Sequence, residues 1–339
     1  MTDRARTRRR PLLVVMVLLA VGAAVFLLSG RGPDTEQRDL QQAWAADLDR
    51  WAQTTLDNLG PGATPGAGGH DLAAVFDPAW VQPVRFTPDR QPGSGAGWDQ
   101  VDEVNAACTA YTSYAQNVQE AVQPPAAPSS LRTDEPGAQE GADRFIRYQQ
   151  ALGTLQNETA DAGGAARSFC GSYAPLVAAH ADSAAAWQDL DDVLTCDAGG
   201  CRVAVDGAGE RGAARQDVAE LLTAALVRPN EQIAAALLTQ CYLTDLREVC
   251  DADAAEARAL AQAYAEWITR LDEPGADGQL DAAADVIDGA AADFPEVAAP
   301  WGATRQGTGD AAAGMVADVS ASLDQGADQL VTALGQASD

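Results

Sequence analysis

Apolar residues recur in steps of three and four along most of this chain, the period of helices that bury one face. The most regular run is Val101, Val104, Cys108, Tyr111, Ala115, Val118 and Val122, a seam suited to a helix crossing its neighbour at a shallow angle. Pro124-Pro125 stops it, and after Pro136-Gly137 a second run takes in Phe145, Tyr148, Leu152, Leu155 and Thr159. Residues 98–161 therefore read as an antiparallel helical hairpin. A further helix over 164–194 places Phe169, Tyr173, Leu176, His180, Ser183, Trp187, Leu190 and Leu194 on one face. Pro175 is expected to kink or restart it, and His180 on that stripe reads as a hydrogen-bonded core residue.

The same period returns after residue 212. Ala214, Val218, Leu221, Leu222 and Ala225 form a stripe ending at Arg228-Pro229, and Asn230 is placed to cap a helix with Ile233, Leu237, Leu238 and Cys241. Asp253-Ala254-Ala255-Glu256 has the form of a capping box ahead of Leu260, Ala263, Tyr264, Trp267 and Leu271. Two more stripes follow, Leu280 to Phe294 and Val316 to Leu334. Near the start, Asp34 or Thr35 caps a helix running to Leu59, whose face carries Leu40, Trp44, Leu48, Trp51 and Thr55. Between that helix and Trp98, GPGATPGAGG reads as a flexible linker, while Phe76, Trp80, Val81 and Phe86 are too apolar to stay solvated and cover a core edge. Strand patterns are almost absent, the exception being Arg202 to Val205.

One apolar run has no period at all. Pro11 to Leu28 holds 18 uncharged residues directly behind Arg4, Arg6, Arg8, Arg9 and Arg10, so it reads as a membrane-spanning helix with its basic flank in the cytoplasm. At about 1.5 Å per residue it reaches about 27 Å. The run exceeds the apolar core of a cleaved signal, and Ser29-Gly30-Arg31 offers neither a small-x-small triplet nor a lipidation Cys, so an uncleaved anchor is expected.

Charge narrows the partners. All 22 basic residues are Arg, and beyond the anchor 17 of them face 48 acidic groups, a net charge of about −31. Such a surface repels nucleic acid and anionic lipid headgroups. Without Lys the chain cannot be a Walker-type nucleotide-binding protein, a protein kinase, a Ser-x-x-Lys acyl enzyme or a Schiff-base enzyme.

Six Cys, at 108, 170, 196, 201, 241 and 250, all lie beyond the anchor. That even number fits disulfides in an oxidising compartment, and no Cys-x-x-Cys or nearby His argues for zinc. On one helix Cys241 and Cys250 would stand about 13 Å apart, beyond the reach of a bridge. If Cys108 joins Cys170, then Cys196 and Cys201 each meet one of Cys241 and Cys250. The alternative is a local bridge from Cys196 to Cys201.

Candidate chemistry is sparse. Cys170-Gly171-Ser172-Tyr173 lacks the second Cys and following aromatic of a papain-like nucleophile region, and His180 is too near for that layout. Gly207 to Gly212 spells G-x-G-x-x-G, but no second strand follows, so it reads as an interhelical loop. Asp277 to Asp281 resembles the middle of a calcium loop whose early acidic ligand and closing Glu are replaced by Gly275 and Ala284. His70-Asp71 beside Gly68-Gly69 reads as an exposed pair.

The resulting expectation is an all-α, disulfide-stapled extracytoplasmic helical bundle, or two packed bundles, on one N-terminal transmembrane helix. Its parts are a cytoplasmic tail (1–10), an anchor (11–29), a juxtamembrane amphipathic helix (30–59), a linker (60–97), a first bundle (98–194), a Cys/Gly-rich loop (195–212) and a second set of helices (213–339). No catalytic, cofactor or metal residue is assigned. Trp44 and Trp51 are the partner-facing candidates, for a protein partner in the cell envelope. A carboxylate-dependent hydrolase of wall glycans is the alternative, since paired Glu and Asp leave no sequence signature, and a divalent-cation-binding module is a third class.

Overall fold

The computed structural model describes residues 33–85, 97–132, 134, 136–197, 200–203, 211–239, 241, 247–269 and 305–335. The anchor from Pro11 to Leu28, the G-x-G stretch at 207–210, the calcium-like turn and the stripe from Leu280 to Phe294 lie outside these residues. Among the described residues no helix is long and apolar enough to cross a membrane.

The regular secondary structure of the described residues is helical apart from one hairpin. Its helices are α1 (Pro33–Leu59), the four-residue α2 (Leu72–Val75), α3 (Trp98–Gln119), α4 (Pro136–Val193), α5 (Arg211–Leu222), α6 (Arg228–Thr239), α7 (Arg247–Thr269) and α8 (Arg305–Gly335). The hairpin pairs β1 (Leu194–Asp197) with β2 (Gly200–Val203) antiparallel. The stripes predicted for α1, α3 and α8 include faces these helices bury, with Trp44 and Leu48, Val104 and Tyr111, and Val316, Leu323 and Leu330; Val122, expected to end the α3 stripe, instead lies beyond the helix, which stops at Gln119, and is exposed.

Several boundaries differ from the expected ones, each for a local reason. A single 58-residue helix, α4, replaces the two expected over 136–161 and 164–194. Gly163 does not break it, because a Cβ there would stand 2.7 Å from the Cβ of Ala115. The glycine is the price of a close approach between α3 and α4. Nor does Pro175 end α4; the lost backbone bond is offset by the burial of Tyr173, Leu176 and Val177 around it.

Arg228-Pro229 does not end a helix either. The chain runs helically from 211 to 239 through a π-helical turn at Thr223–Val227, which absorbs the register change ahead of the proline. Asn230 is fully buried within this run instead of capping its start. Likewise Asp253 and Glu256 are not a cap: α7 already begins at Arg247, and both residues are buried well inside it, past its first turn.

The described chain divides into two compact units. The first comprises the described parts of Met1–Asn58, Val122–Gly153 and Leu330–Asp339; the second comprises those of Leu59–Ala121 and Thr154–Gln329. In the second unit a disulfide between Cys108 and Cys170 joins α3 to α4 across a Cα separation of 5.8 Å. A second disulfide corrects the expectation for the later cysteines. Cys241 and Cys250 are bonded to each other with their Cα atoms 5.7 Å apart. They do not share a helix: α6 ends at Thr239 and α7 starts at Arg247. Neither is therefore free to meet Cys196 or Cys201, whose backbones face each other across the β1–β2 hairpin.

Candidate functional site

Each unit contains a segment outside its long helices, with only short turns of its own at Pro78–Val81 and at Pro128–Leu131, that is held by side chains from helices. In the first unit this segment is VQPPAAPSS, Val122 to Ser130, where three prolines prevent both helix and ladder. Its carbonyls still need donors. Three residues of α1 at heptad spacing supply them: Trp51 Nε1 donates to Val122 O at 2.8 Å, Trp44 Nε1 to Pro125 O at 2.9 Å and Gln37 Nε2 to Ser130 O at 3.1 Å. Gln37 Oε1 in turn accepts from Arg132 N at 2.9 Å. The segment thus runs antiparallel to α1.

The spacing has a physical basis. Seven helical residues advance about 10.5 Å, and three residues of polyproline II advance about 9.3 Å. Trp51 and Trp44 therefore match successive turns of an extended proline-rich chain. Both indoles are seated by α4: the Trp51 ring stacks on Tyr148 with centroids 5.5 Å apart, and Trp44 packs so closely on Gly141 that a Cβ there would lie 2.6 Å from the ring. Arg144 on the same helix pairs with Asp49 of α1.

Sequence reasoning picked these two tryptophans as partner-facing. Trp44 is only 4% exposed and Trp51 partly so, and their N–H groups are already engaged within the chain. The face is occupied from within, a fact that heptad spacing alone does not reveal.

In the second unit the corresponding segment is Val75 to Arg85. The expected linker ahead of it is in fact ordered, with a 3₁₀ turn at Pro61–Ala63 and a buried Thr64. Tyr173 OH accepts from Asp77 N at 2.8 Å and donates to Val75 O at 3.2 Å. His180 Nε2 lies 2.9 Å from Gln82 O; a carbonyl can only accept, so this nitrogen carries the proton. Asn230 Nδ2 donates to Val84 O at 2.9 Å and to Leu226 O at 2.8 Å. The second of these bonds serves a carbonyl of the π-helical turn, and Ser183 Oγ serves another, that of Ala225.

At the end of this segment Arg85 Nη2 meets Glu256 Oε1 at 2.8 Å, with the glutamate side chain 1% exposed. Phe76 and Trp80 cover a ring cluster formed with Phe169 and Tyr173. Burial dominates the electrostatics. It lowers the pKa of His180 to about 4 against the opposing influence of the Gln82 carbonyl and Asp77, so the imidazole is neutral at pH 7. Burial also raises the Tyr173 hydroxyl and pushes Tyr114 up to about 12.

A third polar group stands where α2 meets α3 and α8. Asp71 caps α2 by accepting from Ala73 N at 3.0 Å, accepts from Ser320 Oγ at 2.9 Å, and has Tyr111 OH within 3.3 Å. Its neighbour His70 is exposed and takes no part. The arrangement has a carboxylate directly on a serine with no imidazole between them, which suits a three-element staple. Among the described residues no three His, Cys, Asp or Glu side chains converge as metal ligands.

Compared with models of known families, with curated proteins and with solved structures, the chain matches none.

Proposed function

We propose that this is a membrane-anchored, extracytoplasmic helical protein of the cell envelope that works by binding another protein and carries out no chemistry of its own. The observation that carries the binding reading is the Trp44–Trp51 face of α1. It is a preformed aromatic seat that holds an extended chain through that chain's backbone carbonyls. In support, three of the four exposed large apolar side chains among the described residues, Val122, Ile146 and Val331, belong to the same unit.

Placement outside the cytoplasm rests on the uncharged run behind five arginines and is supported by the two disulfides, which persist in oxidising compartments. Two tests address the two halves of the proposal. Protease added to intact spheroplasts is expected to digest the helical domain, and protection until lysis would place it inside. Cross-linking in intact cells followed by affinity purification is expected to recover a discrete protein adduct. Recovery of the chain alone, at endogenous expression, would count against a partner.

A further inference from the structure

We propose that the α1 face is a reader of proline-rich extended peptides, and that its own segment from Val122 to Ser130 is a tethered competitor for that site. The inference rests on the binding reading above and gives its partner a chemistry. Three features of the first unit lead to it.

The recognition is of backbone shape. Trp51, Trp44 and Gln37 each bind a carbonyl, and none of these bonds involves a side chain of the segment. A chain with the polyproline II rise presents carbonyls at the three-residue interval that the two indoles read, and proline favours that conformation because it has fewer alternatives to lose. The seat is also held independently of its occupant. Tyr148 and Gly141 of α4 fix the two indoles, so the donors stay aimed when the segment leaves.

Finally, the occupant is shallow. Val122 is 78% exposed, and from 121 to 130 only Pro124 is buried. A segment tied by three neutral hydrogen bonds and one proline belongs to the least stable part of a fold. It stays in place because the tether gives it an effective concentration near the millimolar range. An untethered ligand must therefore out-compete it, by tighter contacts or by a second site of attachment.

The test uses the full chain and a synthetic peptide of residues 121–130, followed by tryptophan fluorescence and by the indole N–H resonances of Trp44 and Trp51. A variant with Pro124→Ser, Pro125→Ser and Pro128→Ser is expected to bind the peptide at least tenfold more tightly than the wild-type chain. A second variant keeps the native segment but inserts about twelve Gly and Ser residues after Arg132, diluting the tether; it is expected to bind at least threefold more tightly than wild type. Adding Trp44→Phe and Trp51→Phe to either is expected to remove the gain.

Failure of the insertion variant, with its helix content intact, to bind the peptide any better than wild type would overturn the proposal, whatever becomes of the triple serine variant. Peptide binding that survives both Trp→Phe changes would overturn it too. A discrete cross-linked partner in cells together with a negative peptide result would leave the binding reading standing and remove only the proline-rich chemistry.

Discussion

The extended segments of the two units solve one problem in two ways. In each, a stretch outside the long helices must find donors for several of its carbonyls, and in each the donors are side chains projecting from helices. The first unit uses two indoles and an amide on one exposed-edged face. The second uses a phenol, an imidazole and an amide from different helices, then closes with the Arg85–Glu256 pair. Burial makes the difference. Within Val75–Arg85 Trp80, Val81, Pro83 and Val84 are buried, so a lost bond there leaves a polar group close to the core, whereas from 121 to 130 only Pro124 is buried and water can replace more of what is lost. The same device is thus a fixed part of one core and a detachable part of the other surface.

This contrast predicts a graded series of effects. Glu256→Ala removes the buried carboxylate that Arg85 Nη2 meets, leaving Arg85 its bond to Gln82, and should cost about 3 kcal/mol, read as a lower urea midpoint; a loss below about 1 kcal/mol would mean that the ion pair does not secure the segment. The pH response comes next. His180 binds its proton near pH 4 when folded and near 6.5 when unfolded, so between those values the unfolded chain takes up the proton first. Stability should therefore fall as pH drops from about 6.5 to 4 and level off below, by roughly 3 kcal/mol in all. Comparing wild type with His180→Gln, whose amide still donates to Gln82 O, isolates this part: the variant should lack the added slope.

In the first unit the effects should be smaller. Trp44→Phe keeps the ring on Gly141 and removes one donor, at a cost of about 1 kcal/mol. Trp51→Phe, at the wetter end, should cost less than about half of that. If either matched Glu256→Ala, the two segments would not differ as argued.

Much of the helical fold was legible from periodicity, because α1, α3 and α8 bury single continuous faces. The Cys108–Cys170 bridge could likewise be read from two neighbouring helices. What escaped were places where long-range contact overrides a local signal. Gly163 looks like a break but is a close-packing position against Ala115. Asn230 and Asp253-Ala254-Ala255-Glu256 look like caps, yet two of these side chains serve residues far upstream, Asn230 with Val84 and Glu256 with Arg85. The Cys241–Cys250 bridge was missed by assuming one helix, whereas α6 ends at Thr239 and α7 begins at Arg247. With both its partners taken, the hairpin register pairs Cys196 with Cys201, and a non-reducing peptide map is expected to show that four-residue loop closed on itself. A Trp on a helical stripe, finally, signals an aromatic face but not what fills it.

The measurement that bears most directly on the contrast is hydrogen exchange followed by NMR on the intact chain. Asp77 N and Trp80 N, bonded within the second unit's segment, should exchange only through global unfolding of that unit. The indole protons of Trp44 and Trp51 should exchange through local release of Val122–Ser130, with protection at least about 100-fold lower. Equal protection at the two sites, lost together in denaturant, would contradict the claim that one segment is fixed and the other detachable.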